Sequence, residues 1–298
     1  MSDDEIRRVI ERTRFLKRIQ ETPDTPDALA TIPRLQLKDL PPRNADIPIE
    51  TGTLSGAQLL THDLPTNGIV YLDIGLDLRQ LPAELPPYTG IFRYALLETG
   101  AGGLDFVQLS QRIGRSTGGL STSTFSATKR QDGTGGSWLL LRAKAVTGKL
   151  DELVSILIDV LTSARFDNLE RIEQLIDEAR AGMEARLVPA GSAFADYRLR
   201  ASLTEADWAA EQMGGVSYLS FLRALSARIK RRAGERHGGA GADARHSHPA
   251  RRLILNVTAE AGDLRRAEPE LQRLAGALPE GHPRRRIGRS SSCRASRA

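Results

Sequence analysis

The apolar residues change their period midway along this chain, and that change limits the architectures open to it. Within Ser137–Val146, Leu141, Ala143 and Ala145 alternate with Arg142 and Lys144, which puts one face of a strand in a dry core and the other in water. Directly afterwards Leu150, Leu153, Val154, Leu157 and Leu161 recur at helical spacing. Leu169, Ile172, Ile176, Ala179, Met183 and Leu187 mark a second, longer helix. Neither pattern can serve as the other, so strands and helices must share a core.

The same grammar runs upstream and downstream of this junction. Ala57–His62 and Ile69–Leu78 are rich in Val, Ile, Leu and Tyr and flank the turn-forming Pro65-Thr66-Asn67-Gly68, which predicts two paired strands. Tyr88–Thr99 predicts a helix stopped at Gly100. Asp105 caps the next, which carries Val107, Leu109 and Ile113 and ends before Gly118. Leu120–Lys129 and Ser137–Val146 predict a hairpin through Gln131–Gly136, with Asp132-Gly133 as the turn signal. Shorter helices follow around Phe194–Leu203, Glu205–Gln212 and Ser217–Ile229. Strands and helices arrive in runs and not in strict alternation, so the expected class is α+β: an antiparallel sheet covered by helices on one face, preceded by a helix and a Pro-rich linker.

That linker lies at the N-terminus. Ser2 and Glu5 have the spacing of a capping box, and Ile6, Val9, Ile10, Leu16 and Ile19 recur at helical spacing up to Glu21. Six prolines between Thr22 and Pro48 predict an extended connector. The expected organisation is a helix and linker over 1–48 and an α+β domain over 49–229 that folds as one unit. An irregular basic segment over 230–250 follows, and 251–298 forms the start of a further α+β domain and a basic tail. In that last part Leu253–Val257 reads as a strand and Leu264–Leu278 as a helix.

The net charge of +5 would suggest nucleic acid, but its distribution argues otherwise. Residues 1–222 hold 24 Lys and Arg against 30 Asp and Glu, a balance of −6, whereas residues 223–298 hold 18 against 7, a balance of +11. Lys230, Arg231, Arg232, Arg251, Arg252 and Arg284 to Arg286 would attract phosphates. No aromatic residue follows Phe221 to stack on bases, so a dedicated nucleic-acid module is disfavoured. Cys293 is the sole cysteine, which excludes an internal disulfide scaffold and a cysteine metal cluster. No apolar window reaches membrane-spanning length and the first thirty residues are rich in Asp, Glu and Arg, so the expectation is a protein of the cytoplasm or an organelle matrix, with no membrane partner.

The residues that could carry catalysis are few. His62, His237, His246, His248 and His282 form neither H-E-x-x-H nor H-x-x-E-H, so the helical two-histidine zinc site is absent. His246, His248 and Asp243 could touch a metal, though a solvated segment is the plainer reading, and His62 reads as a surface or turn residue. Gly100–Gly103 follows a helix and not a strand, and Gly133–Gly136 lacks a phosphate-reaching Lys; both read as caps and turns. Glu173 and Asp177 share a helix face beside Arg171, Gln174 and Arg180, which suits a hydrated surface. Ser121 to Ser126 carry no G-x-S-x-G elbow. No catalytic, cofactor-binding or metal-binding residue is assigned to this chain.

Several separated motifs in order carry a resemblance. Gln20-Glu21-Thr22-Pro23-Asp24 with Ala28 to Leu35, His62 to Tyr71, Val107 to Gly114 with Thr117-Gly118-Gly119, and Gly214 to Leu219 together resemble the C-terminal half of presequence proteases, a branch of the pitrilysin/insulinase zinc metallopeptidases. The likeness covers residues 1 to about 229 and about 251 to 280. It implies a clamshell of two halves, each of two α+β domains, closing around an unfolded peptide. Zinc and its ligands are expected in the N-terminal half, so this chain would hold no cofactor and its partners would be that catalytic half and a peptide substrate. The chain is expected to be an inactive fragment or a separately encoded half that forms part of the peptide-enclosing chamber. A stand-alone interaction domain is the alternative, and a nucleic-acid-binding protein a weaker one. Residues 230–250 and 282–298 depart from the family pattern, and their Arg, Gly, Ala, Ser and Pro bias is what out-of-frame translation of a GC-rich gene produces, with a real insertion as the rival explanation.

Overall fold

The computed structural model describes residues 2–43, 46–79, 81–235 and 253–278. The chain divides into two compact units, Met1–Ile47 and Pro48–Ala298.

In the first unit, helix α1 (Asp3–Glu21) begins with the expected capping box: Ser2 Oγ accepts from Glu5 N, and the Glu5 carboxylate accepts from Ser2 N at 2.7 Å. Helix α2 (Pro26–Ala30) interrupts the connector. Thr25 caps it and Pro26 stands in its first turn, where the missing N–H costs no intrahelical bond. The prolines therefore punctuate the linker without keeping it wholly extended.

The second unit opens with strand β1 (Glu50–Leu54), which turns through Ser55 and Gly56, both at positive φ, into β2 (Ala57–Asp63). Strand β3 (Ile69–Asp77) leads into helices α3 (Pro86–Glu98) and α4 (Phe106–Ser116), and the hairpin of β4 (Leu120–Thr128) and β5 (Gly135–Val146) follows. Helices α5 (Leu150–Ser163), α6 (Leu169–Leu187), α7 (Gly191–Arg200), α8 (Glu205–Gly214) and α9 (Val216–Glu235) come next. Strand β6 (Leu253–Ala259) and helix α10 (Ala261–Ala277) complete the described chain.

The strands form one six-stranded sheet in the order β1-β2-β6-β3-β5-β4. Two expectations change here. The short turn between β2 and β3 predicts that they pair, but β6 lies between them, parallel to β2 and antiparallel to β3. The sheet is thus antiparallel except at that pair, and the segment expected to start a further domain belongs to the middle of this one. The reason is geometric: the core needs a strand of Leu255, Val257 and Ala259 between β2 and β3, and all three are 0% exposed there.

One sheet face is dry. Val70, Leu72 and Ile74 of β3, Leu141 and Ala143 of β5, and Leu255 and Val257 of β6 pack on Leu153, Ile156 and Leu157 of α5 and on Leu271 and Leu274 of α10. A second core lies farther from the sheet, where Ile91 and Ala95 of α3 meet Leu175, Ile176 and Met183 of α6, Phe194 of α7, and Tyr218, Leu219 and Leu222 of α9. Helix α3 serves both cores, because Leu96 belongs to the first. The α+β class with helices on one face is thereby established. The opposite face stays open: Tyr71, Phe125 and Val146 on it are 41%, 54% and 53% exposed.

Candidate functional site

Strand alternation builds the open face. Every second residue of a strand points away from the helices, which on β3 means Tyr71, Asp73 and Gly75, on β5 Trp138, Leu140, Arg142 and Lys144, and on β6 Ile254, Asn256 and Thr258. Polar groups at the centre of this face link across four strands. His62 Nε2 lies 2.8 Å from Asn256 Oδ1, Asn256 Nδ2 donates to Asp73 Oδ2 at 3.3 Å, and Asp73 Oδ1 lies 3.8 Å from Arg142 Nε. The other ring nitrogen of His62 lies 2.8 Å from the carbonyl oxygen of Pro48. Both partners of the ring are acceptors, since the Asn256 amide is oriented by its donation to Asp73. His62, expected as a surface or turn residue, is instead half-buried and fastens the start of the domain to β6.

One end of the face widens into an open groove of ≈890 Å³ lined by Gln58, Arg79, Phe125, Lys129, Trp138 and Ile254, among others. Gly75 lies next to two of its lining residues: a Cβ there would make ordinary van der Waals contact with Ile254 and Leu140 at 3.4 Å and with Trp138 at 3.5 Å. Beside it, Asp77 is 4% exposed and accepts from Arg79 N and Nε, both at 3.0 Å, so a buried carboxylate fixes the guanidinium at the groove wall.

The remaining sequence candidates take structural positions. Gly100 and Gly102, both at positive φ, carry the chain from α3 towards α4; a Cβ at Gly100 would meet Leu104 O at 2.4 Å, and one at Gly102 the Asp159 carboxylate at 2.7 Å. Gly133 turns the β4–β5 hairpin, where Asp132 Oδ1 accepts from Thr134 N. In the Ser121–Ser126 run, Ser126 Oγ lies 3.0 Å from Ser137 Oγ, and Thr122 Oγ1 donates to Arg93 O at 2.8 Å. Asp177 does not pair with Glu173. It takes Lys230 Nζ at 2.9 Å and Ser226 Oγ at 2.8 Å, and these two bonds hold its carboxyl below the usual carboxylate range. Lys230, counted above with the basic segment, therefore sits in α9 and ties it to α6.

Glu211 carries no sequence motif of its own. It is 0% exposed and its Oε1 accepts from Ser217 N at 2.9 Å, closing the N-terminus of α9. Gly215 makes room for this, since a Cβ there would stand 2.8 Å from Glu211 Cγ. The Gly214-Gly215 pair ahead of a helical pattern is the signal that points to it. His237, His246, His248, His282, Asp243, Cys293 and the arginines from Arg251 onward in the basic set lie outside the described residues. Among the described residues no group of three or more His, Cys, Asp or Glu could hold a metal ion, and no helix is long and apolar enough to cross a membrane.

Comparison with known proteins places this geometry. The chain is 36% identical over 281 residues to presequence protease 1, chloroplastic/mitochondrial, of Arabidopsis thaliana, an alignment covering 94% of this chain and 26% of that protein. It is 29% identical over 215 residues to protein HypA of Clostridium perfringens, covering 72% of this chain and 22% of that one. It thus spans about a quarter of the length of the relatives it matches. Among solved structures, a conserved protein from Enterococcus faecalis shares the fold, with a TM-score of 0.52 at 15% identity, over 80% of this chain and 56% of that one. Residues 1–225 match the family described as peptidase M-16C associated, and with three quarters of its length inside that match the chain belongs to this family.

Proposed function

We propose that this chain is the non-catalytic half, or part of it, of a presequence-protease-like zinc metalloendopeptidase, and that its open sheet face forms part of the wall around an enclosed peptide. The observation that carries the reading is the one-sided sheet. The described helices that pack on it, α5 and α10 foremost, serve one face, while the other presents a polar chain and a groove of ≈890 Å³ to the surroundings. Such a wall offers alternating apolar and hydrogen-bonding side chains without any catalytic group of its own, which suits holding an unfolded peptide while chemistry is done elsewhere. Zinc and the nucleophilic water would belong to a separate N-terminal catalytic half, and this chain would act in the cytoplasm or an organelle matrix.

The test is co-expression with a zinc-bearing N-terminal half of a presequence protease. A soluble heterodimer with chelator-sensitive cleavage of a fluorogenic peptide, and no cleavage by this chain alone, is expected. Chelator-sensitive cleavage by the homogeneous chain would overturn the non-catalytic reading, and a monomer that binds no such half would leave the interaction-domain reading ahead.

A further inference from the structure

The Thr117-Gly118-Gly119 motif, prominent in the sequence, has no part in the groove or the polar chain. It borders a separate pocket of ≈310 Å³ at the opposite end of β3 and β5, lined by Ile69, Arg115, Thr117, Gly118, Lys144, Val146 and Lys149 among others. Three cations line this pocket and, among the described residues, no carboxylate does. Among the described residues, Arg115, Lys144 and Lys149 enter none of the ion pairs, although such pairs are frequent elsewhere in the chain. Asp151 and Glu152 stand in the next turn, exposed, and line no part of the pocket.

The cations are placed, and the C-terminal turn of α4 places them. Lys149 Nζ donates to Arg115 O at 3.0 Å, so its ammonium is anchored at the last turn of α4. The stem of Lys144 lies along Gly118: a Cβ there would meet Lys144 Cγ at 2.9 Å, Cε at 3.2 Å and Cδ at 3.4 Å. Gly118 N in turn donates to Lys144 O at 2.7 Å. Glycine at this position is therefore what lets Lys144 reach across the motif. Beside the cations Ile69 and Val146 are register partners on the open face, and Val146 is 53% exposed.

We propose that this pocket binds the C-terminal carboxylate of a peptide whose last side chain is apolar. The ammonium and guanidinium groups would take the carboxylate, and the Ile69–Val146 pair would take the side chain. The pocket opens on the sheet face assigned above to the enclosed peptide, and the choice of a peptide as ligand rests on that reading.

The probe is acetyl-Ala-Leu as the free acid, titrated into the full chain alongside its C-terminal amide and inorganic phosphate. The acid is expected to bind at least about tenfold more tightly than the amide, to weaken as salt rises, and to shift the amide resonances of Gly118 and Gly119 in NMR spectra. The double variant R115Q/K144Q should lose that preference, and Gly118→Ala, which displaces the Lys144 stem, should reduce it with the fold intact. Equal binding of acid and amide would overturn the proposal. Phosphate binding as tightly as the acid would overturn the assignment to a peptide terminus. Heterodimer formation with the catalytic half is a separate readout: its loss alongside a retained acid preference sinks only the chamber reading, and the reverse sinks only this pocket.

Discussion

The ring of Tyr218 lies directly on the backbone of Gly90, so that a Cβ built at Gly90 would stand 2.4 Å from Tyr218 Cζ. Two helices far apart in sequence, α3 and α9, approach at this point, and glycine is what permits it. The same contact leaves the Tyr218 hydroxyl buried with no hydrogen-bond partner among the described residues, and burial pushes the phenol well above its ordinary value. Gly90→Ala should therefore cost about 1–3 kcal/mol by overpacking. Tyr218→Phe, which removes only an unsatisfied hydroxyl, should be neutral or stabilising. Urea unfolding of the two variants checks both signs; a G90A variant as stable as the parent would refute the close contact.

The Asp177 carboxylate has a pH signature. Its folded-state value is depressed by Lys230 and Ser226, so its contribution is fully present above the ordinary aspartate range and is lost as pH falls through the depressed value. The group is 33% exposed, which limits the effect to about 1 kcal/mol or less after screening. Asp177→Asn should lower stability by that amount at pH 7 and by progressively less towards pH 3. Parallel stability curves for parent and variant across that window would contradict the assignment.

The polar chain on the open face can be tested by exchanging its members. Asn256 donates to Asp73 and accepts from His62, so Asn256→Asp removes the donor and sets a second carboxylate against Asp73, at an expected cost of about 1–3 kcal/mol. The swap N256D/D73N restores one donor and one carboxylate between the same strands and should recover most of the loss. Additive effects of the two substitutions in a double-mutant cycle would show that the two side chains do not communicate.

Legibility in the sequence follows contact distance along the chain. The β4–β5 hairpin is legible because Leu141, Ala143 and Ala145 alternate with charged residues beside an Asp132-Gly133 turn, all local features. Strand β1 is not, because Glu50-Thr51-Gly52-Thr53 has no apolar alternation; it forms at the sheet edge by pairing with β2 alone. The short turn between β2 and β3 suggests a direct pairing that does not form, since nothing local announces that a strand from the far end of the chain will separate them. His62 and Asn256 are 194 residues apart, so their contact has no sequence signal beyond two polar residues on wet strand faces. The Gly118 motif is visible as a resemblance, but its consequence for Lys144 exists only once β5 runs past it.

The position of β6 makes the strongest stability prediction, because it reverses the expectation that residues 49–229 suffice. A chain ending at residue 229 loses β6 and α10, and with them Leu255, Val257, Ala259, Ala267, Leu271 and Leu274, all 3% exposed or less. Removing them uncovers their partners on α5 and leaves β2 and β3 with facing edges and no strand between them. At about 1.5–3 kcal/mol for each large buried side chain, the loss is comparable to the entire ~5–15 kcal/mol by which a domain is stable. The 49–229 piece should therefore lack a cooperative thermal transition and expose apolar surface to a dye such as ANS, whereas a 49–278 piece should unfold cooperatively. A sharp transition in the shorter piece, with native-like near-ultraviolet circular dichroism, would show that β2 and β3 can pair directly and that β6 is an addition to the sheet and not its keystone.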